Sequence, residues 1–206
     1  MTTQGAHEDL AYLKSLAESG ANAPLIGGRY LLLWGGLSVL ATIAHGLVLE
    51  GILPLATRNV GVIWMVYGLV GGITSAFLGR GLAGKPGARS AANRVSRAAW
   101  MTVGIGIFAY VLSLVFWTAV FNTPVVLFDS ILTIAFFGYG FAFSVTAALS
   151  GLRWLYGPAL LSGIAAIITP VLYGTSELYF LSAAAIALSA VLPGLKMIAH
   201  EPKTLT

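Results

Sequence analysis

The sequence predicts an all-α, polytopic membrane protein with six transmembrane helices arranged as three helical hairpins. Three observations lead there. First, only 9% of the 206 residues are charged and 58% are hydrophobic, with a mean hydropathy of +0.89. A soluble domain carries about 25% charged residues, so this chain cannot cover a water-facing surface. Second, six runs free of Asp, Glu, Lys and Arg occupy 30–49, 59–79, 98–128, 130–152, 154–176 and 178–195. A membrane helix needs about 20 such residues. Third, the cations concentrate in alternate connections between these runs.

The composition excludes several functions. An ordinary globular enzyme, a disordered chain and a soluble nucleic-acid binder are all incompatible with so few charges. No cysteine is present, which removes disulfides, thiolate metal sites and cysteine nucleophiles. Apolar runs in lipid must satisfy their own backbone hydrogen bonds, which favours helices. A β-barrel would need short strands of alternating polarity, and these runs are apolar on every face.

Residues 1–22 form a polar, cytoplasmic N-terminal segment. They lack a basic stretch followed by a short apolar region and a small-residue cleavage site, so the first span is expected to act as its own signal. Within them, His7-Glu8-Asp9 suits a helix start, where negative charge is favoured. Leu10, Leu13, Leu16 and Ala17 then recur at helical spacing, and Gly20 suits a stop. This short amphipathic helix carries one lysine against Glu8, Asp9 and Glu18. Capping the bundle or docking a partner therefore ranks above adsorption to an anionic membrane surface.

Residues 23–198 hold the six spans, at about 27–49, 60–79, 99–121, 125–150, 154–172 and 178–197. The break at Asn122-Thr123-Pro124 divides the longest run, because proline disfavours helix at the residue before it. Pro158, Pro170 and Pro193 sit near span ends and are not expected to interrupt a helix midway. Residues 199–206 form a cytoplasmic tail. With six spans, Lys14, Arg29, Arg80, Lys85, Arg89, Arg94, Arg97, Arg153, Lys196 and Lys203 share one side, and Arg58 alone holds the other. The positive-inside rule places both termini in the cytoplasm. Short loops add the expectation of a bacterial cytoplasmic membrane.

Small residues are expected to hold the bundle, since lipid gives helices no hydrophobic reason to associate. Gly68, Gly72 and Ala76 make one stripe, and Ala135, Gly138 and Ala142 another. Gly35-Gly36 thins the first span, as Gly104 and Gly106 thin the third. On the fourth span, Phe136, Tyr139 and Phe143 share one face at 100° per residue, and Phe137 and Phe141 another. These aromatics are read as core and lipid-facing residues in preference to a groove for a flat apolar ligand.

Ionisable groups within a membrane are functional suspects. His45 and Asp129 qualify, with Glu50 and Glu177 at the outer rim. Both inner candidates fall in the outer half, so no charge occupies the midplane, where secondary transporters place their sites. His45 could pair with Asp129 as a proton-sensitive contact; a structural polar contact is the plainer expectation. No cofactor, metal site or catalytic constellation is expected. The loop from Arg80 to Arg97 carries five cations and no acid. Its Lys85, Arg89, Arg94 and Arg97 are candidates for lipid or partner contact. The sequence therefore points to a non-enzymatic accessory, sensory or scaffold subunit, with a small-solute transporter or channel as the alternative.

Overall fold

Where side chains are apolar on all sides, backbone amides find their partners along the chain. The long runs accordingly close into helices. A computed structural model of the protein describes residues 24–82, 84–85 and 87–201, and no strand occurs among them. The segment with Leu10, Leu13 and Leu16 lies outside the described residues, as do positions 202–206.

Six helices are long and apolar enough to cross a membrane: α1 (Gly28–Leu49), α2 (Thr57–Leu82), α3 (Ala91–Phe121), α4 (Val125–Ser150), α5 (Arg153–Leu172) and α6 (Glu177–Ala199). The expected ends hold closely except at α3, which begins at Ala91 and not near 99. Ser90 caps it: the Asn93 N–H donates to Ser90 Oγ at 3.2 Å. A good cap carries the helix past Arg94 and Arg97, because charge ends an apolar run without ending a helix. At its far end Asn122 turns left-handed, with φ of 52°, just before the predicted break at Pro124.

The helices do not pack in sequence order. α1 lies between α2 and α6, α6 continues to α5, α5 to α4, and α4 to α3. Spatially the order is 2–1–6–5–4–3. In α1 and α6, 44% and 50% of the most apolar stretch is buried, against 6% in each of α2 and α3. α1 and α6 meet almost backbone to backbone. A methyl placed on Gly28 would fall 2.8 Å from the Gly194 carbonyl, and one on Gly35 would fall 3.1 Å from Ala190.

Glu50, Asp129 and Glu177 gather at one end of the bundle, the acidic end. Arg29, Lys85, Arg153 and Lys196 mark the other, the basic end. At the basic end Leu31, Ala92, Phe143, Ala147, Leu155 and Met197 form the largest buried cluster. Here Glu201 accepts from both Lys85 and Arg29, the latter at 3.1 Å. Asn93 pins the chain before α1 to the α2–α3 loop: its amide donates to the Pro24 and Gly87 carbonyls, and its oxygen accepts from the Ile26 N–H.

One expectation needs correction here. α6 is interrupted at its middle. Its α-helical part Glu177–Ile186 gives way to a π-helical turn, Ala187–Val191, before Leu192–Ala199 resumes the α form. Pro193 lacks an amide proton and cannot close the preceding turn normally, so it disturbs the helix upstream of itself, in mid-span. α5 tightens into a 3₁₀ turn, Thr169–Leu172, around Pro170 only at its end, where that proline was expected.

Candidate functional site

The ionisable candidates belong to one polar cluster at the acidic end. His45 sits a little over one turn from the end of α1. Its Nδ1 accepts a hydrogen bond from Trp64 Nε1 of α2 at 3.1 Å. That bond requires an unprotonated Nδ1. One face of the imidazole lies against the Tyr179 ring of α6, with centroids 3.7 Å apart. The Tyr179 hydroxyl donates to Asp129 Oδ1 at 2.5 Å, and the Gly174 N–H donates to Oδ2 at 2.7 Å. Ser176 donates to Glu50. Glu177 is exposed at the start of α6, where a negative charge suits the helix dipole.

His45 and Asp129 are thus neighbours through Tyr179, with no direct hydrogen bond between them. Asp129 is 6% exposed, and each of its oxygens takes a donor, as a buried carboxyl requires. The donors come from α6 and the α5–α6 connection. The carboxyl therefore ties that connection to the start of α4. Beside it, the Thr133 hydroxyl pairs with Thr169 at 2.7 Å and with Tyr173 at 2.6 Å. Leu132, Leu178 and Tyr179 are buried beneath, against Trp64, Leu172 and Tyr173.

α2 joins this cluster by a ladder of side-chain bonds to α1. From the basic end upward these are Trp34 to Ser75 at 2.9 Å, Ser38 to Tyr67 at 3.1 Å, and Trp64 to His45. Sequence reasoning singled out none of Trp34, Tyr67, Tyr179, Gly174 or Ser176. The one available signal was indirect: Asp129 inside the predicted span 125–150 needs donors, and nothing local to it supplies them.

The packing glycines divide. Gly35 meets Ala190 and Val191, and a methyl on Gly138 would fall 2.7 Å from Val103. Gly36, Gly68 and Gly72 have nothing within 4 Å. The contact on α2 is made one position away, by Gly71, where a methyl would fall 2.5 Å from the Trp34 ring. An all-apolar helix carries no polar face to mark which side turns inward, so the stripe was assigned to the wrong side.

The cations divide as well. Lys85, expected to meet lipid or a partner, turns inward to Glu201, its side chain 8% exposed. Arg97 donates to the Ala88 carbonyl at 3.0 Å. Arg89 and Arg94 are exposed. On α4, Phe136 and Phe143 are buried, while Phe137 and Phe141 face outward, matching the two predicted faces. An apolar groove of ≈ 610 Å³ runs between α4 and α5, flanked by Phe137, Leu160, Gly163 and Ile167. Among the described residues no three His, Asp or Glu side chains converge as metal ligands.

The chain matches no protein-family model, no curated protein and no solved structure.

Proposed function

We propose that the protein is a six-span integral protein of a bacterial cytoplasmic membrane, built as three helical hairpins with both termini in the cytoplasm. It serves as a non-enzymatic accessory, sensory or scaffold subunit. The observation that carries this reading is the contrast in burial. α2 and α3 each hold a long apolar stretch of which only 6% is buried, while α1 and α6 form a packed spine. Exposed residues such as Leu69, Ile73, Phe77, Ile105, Phe108 and Leu112 suit lipid or partner helices and not water. The N-terminal segment, with Leu10, Leu13 and Leu16, is the proposed cytoplasmic docking element. Arg89 and Arg94 offer charge to acidic lipids or partners on the same side.

The absence of native cysteine makes single-cysteine labelling clean. A cysteine at Gly87 should resist an impermeant maleimide in intact cells and react in inverted vesicles, and one at Leu55 should do the reverse. Exterior labelling at position 87 would overturn the orientation. Photo-crosslinking from Leu13 and Ile105 in native membranes tests the subunit role. Capture of a distinct membrane or cytosolic protein supports it, and recovery of lipid and this chain alone removes it.

The interruption of α6 favours one other reading, a small-solute transporter or channel, since broken helices accompany transport sites at mid-membrane. Flux of small neutral solutes into proteoliposomes, absent from empty liposomes, would establish it.

A further inference from the structure

The basic end carries more charge than the described residues balance. Among them its one acid is Glu201, whose side chain is 3% exposed and takes both Lys85 and Arg29. Two further cations are engaged elsewhere: Arg97 donates to the Ala88 carbonyl, and Lys196 lies over the Trp154 ring at 4.3 Å. Arg89 and Arg94 are exposed. Arg89 borders a hollow of ≈ 380 Å³ in the α2–α3 loop, lined also by Gly84, Lys85, Gly87, Ala88 and Ser90.

The whole chain has seven acidic residues. Glu50, Asp129 and Glu177 stand at the acidic end, and Glu201 is taken. The remaining three, Glu8, Asp9 and Glu18, all belong to residues 1–23, outside the described residues. Asn93 fixes where that segment joins the bundle. Its amide nitrogen donates both to the Pro24 carbonyl at 2.8 Å and to the Gly87 carbonyl at 3.0 Å. The chain therefore arrives at the rim of the hollow, beside Arg94. Glu18 stands six residues before Pro24, and six residues reach about 20 Å when fully extended. A short tether of this kind holds a group at roughly millimolar effective concentration.

From the charge balance and the point of entry we infer that the Glu8, Asp9 and Glu18 carboxylates of the N-terminal segment lie over Arg89 and Arg94, covering the basic face of the α2–α3 loop in cis. Exposed ion pairs are individually weak and screened by salt, so the cover is reversible. An acidic lipid surface or an acidic partner reaches Arg89 and Arg94 only by displacing it. The cover thus regulates the docking role proposed above, and it rests on that reading only for its biological use. The contact itself joins two parts of the chain that meet at the same end of the bundle.

Pulsed EPR on the full chain, one copy per nanodisc of neutral phosphatidylcholine, tests it. Spin labels go on Ser15→Cys and Ala91→Cys, the second an exposed position. The parent should show one short-distance population. Glu8→Gln, Asp9→Asn and Glu18→Gln together should shrink that population at least fivefold, as should about 1 M salt, where the screening length falls to about 3 Å. Glu18→Arg should shrink it too, and adding Arg89→Glu should restore it. A broad distribution in the parent, or a short population indifferent to the three neutral substitutions, would overturn the cover. Short distances that need two copies per disc would assign the contact to a neighbouring chain. Short distances that need phosphatidylglycerol would assign it to the lipid surface, and either result removes the cover. If Ala91→Cys loosens α3, Gly81→Cys, exposed and with nothing within 4 Å, replaces it with the same expectation. Failure of the chain to enter nanodiscs would strike the membrane reading instead, and the same distances in detergent would then decide the cover.

Discussion

One position along α2 separates a helix contact from an open surface. Gly71 faces the Trp34 ring, and Gly72 faces nothing within 4 Å. The packing role expected of Gly72 therefore belongs to Gly71. Gly71→Ala should cost roughly 1–3 kcal/mol, the usual penalty of overpacking. Gly72→Ala should stay within about 0.5 kcal/mol, as surface changes do. Thermal unfolding of the two variants in the same detergent gives the comparison, and equal losses would refute the assignment. Asp129 makes a related point at the same scale. Its place inside a predicted span marked it as unusual, and its burial agrees with that. Its donors stand at 174 and 179, about forty-five and fifty residues onward, so no local pattern could name them.

At the scale of elements, hydropathy located all six helices because the apolar runs are long and the breaks between them are charged or carry proline. It misjudged α3, whose start belongs to a cap and not to an apolar boundary. Ser90→Ala should lower stability by about 1 kcal/mol and fray residues 91–98, read as faster amide exchange there and unchanged exchange in 105–118. Unaltered exchange at 91–98 would mean that Ser90 does not set this end. α6 was misjudged in the opposite sense. Pro193 looks terminal when counted from the end of the span, yet proline acts on the turn before it, which lies at the helix centre.

Across the whole molecule, the order 2–1–6–5–4–3 puts α1 and α6 in the middle and α2 and α3 at the edges. Stability should follow that order. Gly194→Leu would force a side chain into a site where even a methyl falls 2.9 Å from the Leu32 nitrogen. It should abolish a monodisperse peak in size-exclusion chromatography. Gly104→Leu, on an α3 surface with nothing within 4 Å, should elute as the parent does. Comparable behaviour of the two would contradict the spine.

The sequence by itself determined that the chain is helical, with six helices long and apolar enough to cross a membrane, and set most of their ends. Charge and proline interrupt hydrophobic runs locally, and a helix needs only its own backbone. Tertiary structure alone decided which side of each helix turns inward, which helices become neighbours, and that Tyr179 stands between His45 and Asp129. Rotating an all-apolar helix about its axis barely alters its hydropathy. Only close packing, glycine against backbone and ring against ring, distinguishes one rotation from another.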